Sequence, residues 1–207
     1  KKIDWKASAR VGKLIARQYE VEKSQNVIVL LDVGRTMLAE IDGLTKLDYA
    51  LNAIVSLAYA ANLNDDRIGL LIFSDTVHKW IPPNKGSAQV SRILQALYNV
   101  EGKKVEADYK AALAYLGAHW RRRSLVIDFT DLWDASSSRA HIIELSCLQP
   151  RHLVACVTLL DTNVTNQLEH RIDDVNDLFD RSVALEVIHS RNLATGELSK
   201  RGVIVAD

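Results

Sequence analysis

The chain has 207 residues, and its 26 Lys and Arg balance its 26 Asp and Glu. Zero formal charge gives no electrostatic footprint for nucleic acid. No apolar run reaches the roughly 18 residues of a membrane span, since Asn52 and Ser56 interrupt the stretch from Ala50 to Ala61. The length suffices for one large core. The expected division is a lead-in over 1–24, an edge strand or the remnant of a preceding domain, then one domain over 25–207. The chain opens at Lys1-Lys2-Ile3 with neither an initiator Met nor a signal peptide, as a piece of something longer would. Cys147 and Cys156 sit in apolar patterns and are expected as buried, reduced thiols.

In the lead-in, Leu14 to Glu22 fits an edge strand or a short helix, and periodicity does not decide between them. Val27 to Leu31 is a continuous apolar run, the pattern of a strand buried on both faces. It stops at Asp32, with Gly34 permitting a tight turn beyond. Thr45-Lys46-Leu47-Asp48 reads as a capping box. It opens a helix whose Leu47, Ala50, Leu51, Ile54, Leu57, Ala58 and Ala61 keep helical period. After a turn at Asn64-Asp65-Asp66, Arg67 to Phe73 is the next strand, ending in Ser74-Asp75. Val77 to Ile81 is a short partner strand, ended by Pro82-Pro83.

Ser87 is expected to cap a helix with Val90, Ile93, Leu94, Leu97 and Tyr98 on one face. Asp108 begins another, with Tyr109, Ala112, Leu113 and Leu116 inward. Ser124 to Thr130 is a strand ending in Asp131, and Ser136 to Ser138 lead into a helix through Leu148. His152 to Leu160 is a strand ending at Asp161. A helix runs from Asp173 to about His189, with Val175, Phe179, Val183 and Val187 at four-residue spacing, and Gly202 to Val205 closes as a short strand. Strands alternate with helices throughout. The fold class is therefore α/β: a doubly wound, mostly parallel central sheet with helices on both faces.

In such sheets the ligand crevice lies beyond the carboxyl ends of the strands, at the switch point. Asp32 and Asp131 both close buried strands and face one crevice if those strands are neighbours. Two bare carboxylates there would repel, so a cation, a cluster of donors or a raised pKa is expected.

These residues resemble a von Willebrand factor A domain: Asp32-Val33-Gly34-Arg35-Thr36, Leu47-Asp48, Asp66 to Phe73, and Leu125 to Asp131. With Ile3-Asp4-Trp5-Lys6-Ala7-Ser8-Ala9-Arg10, Lys46-Leu47-Asp48 and Thr130-Asp131-Leu132 added, the chain resembles the bacterial family called domain of unknown function 58 over nearly its whole length. The resemblance implies a metal-ion-dependent adhesion site, whose first loop reads Asp-x-Ser-x-Ser and whose later loops supply Thr and Asp. Asp32 matches the first acid, Thr36 the second hydroxyl and Asp131 the last acid. Gly34 and Ala107 stand where two hydroxyl ligands belong, so the site is degenerate. Two readings are open. In one, Asp108 completes a shell of Asp32, Thr36, Asp108 and Asp131 around Mg²⁺ or Mn²⁺. In the other, Arg35 turns inward and neutralises Asp32 without metal.

The function implied is a non-enzymatic protein-interaction module that docks through Asp32, Gly34, Arg35, Thr36 and Asp131. The resemblance further implies an adaptor for a MoxR-type AAA+ ATPase in assembly or maturation, cytoplasmic and tethered to the inner membrane through a preceding region. The alternative class is a haloacid-dehalogenase-like phosphotransferase with Asp32 as nucleophile, although Gly34 replaces its general acid/base. Elsewhere, Arg121-Arg122-Arg123 reads as a solvated cluster at the far end of the sheet, and Trp80 as a half-buried cover on an edge. The histidines have no zinc-hydrolase spacing, and phosphate-loop and Gly-x-Ser-x-Gly motifs are missing.

Overall fold

The computed structural model describes residues 2–3, 8–10, 12–13, 16–17, 24–132, 135–159, 164 and 175–206. Its strands are β1 (Lys2–Ile3), β2 (Ala16–Arg17), β3 (Asn26–Asp32), β4 (Glu40–Ile41), β5 (Leu44–Thr45), β6 (Arg67–Phe73), β7 (Val77–Asn84), β8 (Leu125–Phe129), β9 (Leu153–Val157) and β10 (Ile204–Ala206). The helices are α1 (Lys46–Leu63), α2 (Ser87–Tyr98), α3 (Tyr109–His119), α4 (Ala135–Leu148) and α5 (Val175–Lys200).

Six strands form one sheet in the order β10-β9-β8-β3-β6-β7. All neighbours are parallel except β6 and β7. From β3 the chain builds outward through β6 and β7 on one side, then returns to build β8, β9 and β10 on the other. The switch point therefore lies between β3 and β8, and Asp32 and Asp131 come from neighbouring strands, which meets the condition for their facing one crevice. β1 and β2 pair in a small sheet of their own, apart from the main one. Trp5, most of Leu14 to Glu22, Asp161 and Asp173 lie outside the described residues.

β3 is apolar throughout because both its faces are covered. Val27, Val29 and Leu31 enter the core beneath α1 and α2, whereas Ile28 and Leu30 enter the core beneath α3, α4 and α5. This alternation sets the site, since even-numbered Asp32 follows Ile28 and Leu30 onto the α3/α4 face. Asp128 follows Val126 to that face from β8, with Leu30 and Asp128 in register.

The start of α1 is built by two local devices. Asp42 and Gly43 both have positive φ (51° and 81°) between β4 and β5, the geometry of a two-residue hairpin turn. Thr45 then makes the expected capping box with Asp48. Together they fix the first helical residue, Lys46, over the carboxyl rim of the sheet.

Several expectations are corrected. β7 continues through Pro82 and Pro83 to Asn84, because an edge strand tolerates missing donors on its open side. The N-cap of α2 is Gly86, at φ 85°, with Ser87 inside the helix and making no cap bond; Tyr98 is 90% exposed. α5 runs on to Lys200, and its inward line is Ala184, Arg191, Ala194 and Leu198; Phe179 and Val183 face solvent. Cys156 is buried but Cys147 is exposed, and both are free thiols. Trp80 is half-buried on edge strand β7 and packs on the α3-side core, as expected.

The register of β6 on β7 shifts between Ile68 and Leu70. There a Cβ on Gly69 would lie 2.7 Å from Pro83 Cδ and 2.8 Å from the Ile81 carbonyl oxygen. Gly69→Ala should therefore lower stability by about 1–3 kcal/mol in urea denaturation. Gly117→Ala is the control. Its Cβ meets nothing within 4 Å in α3, so it should raise stability by about 0.5–1 kcal/mol.

Candidate functional site

The first loop leaves β3 and is held down by a segment crossing the rim. Val33 N–H donates to Phe73 O (2.9 Å), Lys103 N–H to Val33 O (2.7 Å) and Arg35 N–H to Val105 O (2.9 Å). Gly34 N–H donates to Asp32 Oδ1 at 2.7 Å. Gly34 has φ −74°, which any residue adopts. Glycine stands there for space, not for a turn. A Cβ would lie 3.0 Å from both Asp32 Oδ1 and Val105 O.

Asp32 is fully buried. Its Oδ2 accepts from the Tyr109 hydroxyl (2.6 Å) and the Thr130 hydroxyl (3.2 Å), and those hydroxyls lie 2.7 Å apart. Burial pushes the Asp32 carboxyl above its usual 3.8 and outweighs the pull of Tyr109, Gly34 and Thr130, with Asp128 adding to the rise. Burial, then the charge of Asp32, holds the Tyr109 proton well above 10, so the phenol remains a donor.

Asp131 has a different solution. Lys46 Nζ donates to Asp131 Oδ2 at 2.6 Å, with the two side chains only 4% and 3% exposed. A lysine at the first position of a helix opposes the helix dipole, so its placement answers to Asp131. Behind this pair, His141 Nε2 and Asp128 Oδ2 lie 2.7 Å apart, both side chains 1% exposed. The His141 ring stacks on Tyr109 at 3.9 Å, and Phe73 meets Tyr109 edge-on at 5.5 Å.

Above lies a cleft of about 500 Å³ lined by Thr36, Ala107, Asp108, Tyr109, Asp131 and His141 among others. Of the four candidate metal ligands, Thr36, Asp108 and Asp131 line it, and Asp32 lies beneath. Asp108 is exposed and caps α3 by accepting from Ala111 N–H at 2.9 Å. Among the described residues, no group of three or more His, Cys, Asp or Glu side chains is disposed to hold a metal ion. The residues as arranged do not fit a divalent ion. The ammonium of Lys46 stands against Asp131, and the oxygens of Asp32 already accept protein donors. The inward Arg35 expected in the second reading is corrected. It pairs with Glu106 at 2.7 Å on the surface, the two side chains 59% and 73% exposed.

Sequence reasoning gave no site role to five side chains of this network: Lys46, Tyr109, Asp128, Thr130 and His141. One signal was available. Asp128 interrupts the apolar run of β8, and a buried acid demands a partner.

A sheet of this order, with acids from the first and fourth of its strands in chain order closing one rim, is the von Willebrand factor A-like α/β fold that the sequence resemblance implies. The family model described as "Protein of unknown function DUF58" matches residues 1–172, and the chain belongs to that family. No curated protein sequence matches it. Among solved structures, the PilB minor pilin from Streptococcus sanguinis is similar with TM-score 0.57 at 10% identity, covering 92% of this chain. The chain spans 58% of the length of that pilin structure. The conserved hypothetical protein BatB from Bacteroides thetaiotaomicron gives TM-score 0.49 at 16% identity, covering 86% of this chain and 99% of its own. The SpRpn10 VWA domain gives 0.47 at 11%, covering 72% and 84%. At such identities the likeness is one of fold.

Lys46→Met leaves Asp131 buried without its cation and should lower stability by about 3–5 kcal/mol. The double variant Lys46→Met/Asp131→Leu should recover most of that loss, as chemical denaturation would register. Because the folded-state pKa of Asp32 is raised, its favourable contribution is present below 3.8 and is lost as pH rises through the raised value. Asp32→Asn should therefore gain on the wild type as pH climbs from below 3.8 towards neutrality, read from paired urea titrations.

Proposed function

We propose that this chain is a non-enzymatic protein-interaction module that docks through the cleft beyond β3 and β8. The observation that carries the reading is the contrast between the floor and rim of that cleft. The floor acids are internally compensated and locked by buried hydrogen bonds. The rim presents the exposed Arg35, Glu106, Asp108 and Lys110 to a partner. A preorganised floor beneath charged, solvated side chains suits recognition, because little ordering is left to binding.

The ammonium of Lys46 takes the electrostatic role that Mg²⁺ or Mn²⁺ would have against Asp131, so docking does not require added metal. Of the residues assigned to docking from the sequence, Arg35 and Thr36 make contact, whereas Asp32, Gly34 and Asp131 hold the floor. The partner in this proposal is a MoxR-type AAA+ ATPase, and the role is that of an adaptor in assembly or maturation. Among the described residues no helix is long and apolar enough to cross a membrane. A cytoplasmic domain held at the inner membrane by a preceding segment completes the proposal.

Capture of the ATPase on immobilised protein tests it. Arg35→Glu/Lys110→Glu should lower capture about tenfold with the melting temperature little changed, because the exposed Arg35–Glu106 pair contributes about 0–1 kcal/mol. EDTA should leave wild-type capture unaltered. Absence of wild-type capture overturns the partner, full capture by the double variant overturns the face, and loss in EDTA overturns the role given to Lys46.

A further inference from the structure

A second cleft opens at the same end of the sheet, on the side covered by α1 and α2. It encloses about 550 Å³ between the start of β7, the second half of α2 and the segment after it. Ala96 and Val100, both half-buried, supply apolar lining above the buried Val33 and Ile72. Three cations stand around this lining: Lys79 from β7, Arg92 from α2 and Lys103 from the crossing segment, each exposed. Glu101 is the only acid among the lining residues. Elsewhere on the molecule cations placed near acids pair with them, as in Lys46–Asp131, Arg35–Glu106 and Lys85–Asp65. Lys79, Arg92 and Lys103 form no salt bridge among the described residues. On a chain of zero formal charge, this is a local excess of positive charge over an apolar surface.

The field of that excess reaches neighbouring groups. Burial first, and then Lys103, disfavours the proton on His78, which also lines the cleft. Asp75 is held below its usual value first by the Ser74 hydroxyl, with Lys103 contributing.

We infer that this cleft binds an acidic segment of a protein partner, one that seats an apolar side chain on Ala96 and Val100 while its carboxylates meet Lys79, Arg92 and Lys103. The volume lies within the range of small-ligand sites and takes one or two side chains. Charge complementarity selects the carboxylates. The apolar lining separates a peptide from an isolated phosphate or a nucleic-acid backbone, either of which would leave it wet. Nor is there a phosphate cradle, since α2 lends its carboxyl-terminal half and not its amino terminus. This site is separate from the cleft of the proposed docking face and stands whether or not that proposal holds.

The probe is a fluorescein-labelled peptide, Glu-Glu-Leu-Glu-Glu-Leu, followed by anisotropy on the intact chain. Saturable binding is expected, weakening as salt rises. Lys79→Glu/Arg92→Glu should weaken it about tenfold or more. Both residues are exposed, so an unchanged melting temperature confirms that the variant folds. Arg35→Glu/Lys110→Glu, on the other cleft, should bind the peptide as the wild type does. The Gln-Gln-Leu-Gln-Gln-Leu peptide should bind at least about tenfold more weakly. Lack of saturation, equal binding by the Lys79/Arg92 variant, or equal competition by inorganic phosphate or phosphatidylserine vesicles each overturns the inference.

Discussion

The contact between Lys46 and Asp131 is the constraint on which the rim of the sheet depends. It joins residues 85 apart in sequence and ties the first turn of α1 to the loop after β8, across the strand at the switch point. Both groups lose their water, so the pair holds only because each is the other's compensation. Such a pair contributes little net stability against an apolar replacement. What it fixes is position, because an ammonium buried at this depth is stabilised most by an acid beside it. The hairpin over Glu40 to Thr45, the capping box and the helix dipole all bear on where Lys46 sits, and only the dipole opposes it.

Asp32 is handled by the opposite strategy. It gathers neutral donors, one from the backbone of its own loop and two from hydroxyls on α3 and on the loop after β8. That arrangement accounts for Gly34 better than turn geometry does. A serine there, as the adhesion-site pattern would have it, needs its Cβ where the crossing segment and Asp32 already stand at 3.0 Å. The missing hydroxyl, the close passage of Val105 and the enclosure of Asp32 are thus one structural change seen from three residues. Of the alternatives expected for two facing carboxylates, Asp131 takes the cation, as the ammonium of Lys46, and Asp32 takes the cluster of donors.

The strands and helices were legible because they rest on periodicity, whereas the adjacency of Asp32 and Asp131 stood only as a condition until the strand order supplied it. β3 runs from Val27 to Leu31 without a polar interruption, and α1 announces both its cap and its apolar face. The failures are equally physical. Pro82 and Pro83 look like a strand's end unless the strand is known to lie at an edge. Ser87 looks like a cap because hydroxyls usually serve, yet the chain enters α2 through a positive φ at Gly86. Four-residue spacing in α5 selected Phe179 and Val183, whereas its packing follows Ala184, Arg191, Ala194 and Leu198, which only the position of β10 and α4 decides. The site fared as its residues did. Acids at strand ends can be read from a pattern, but Lys46 and His141 reach them through space from helices, and spacing carries no record of that.

The two clefts divide the carboxyl end of the sheet between them, and the crossing segment from Val100 to Asp108 is their common wall. Its Lys103 faces one cleft, while Val105, Ala107 and Asp108 face the other. It is pinned at three points: to Val33, to Arg35 and, through Asp108 N–H, to Ser74 O at 2.8 Å. Gly102 packs against the first loop as well, since a Cβ there would meet the Leu38 side chain. A wall fastened to the first loop and to the end of β6 cannot move towards either cleft without breaking hydrogen bonds under the other. On the readings proposed above, a ligand in one cleft therefore meets a surface whose shape the other cleft already constrains. Any coupling between them would travel through this segment and not through a bound ion.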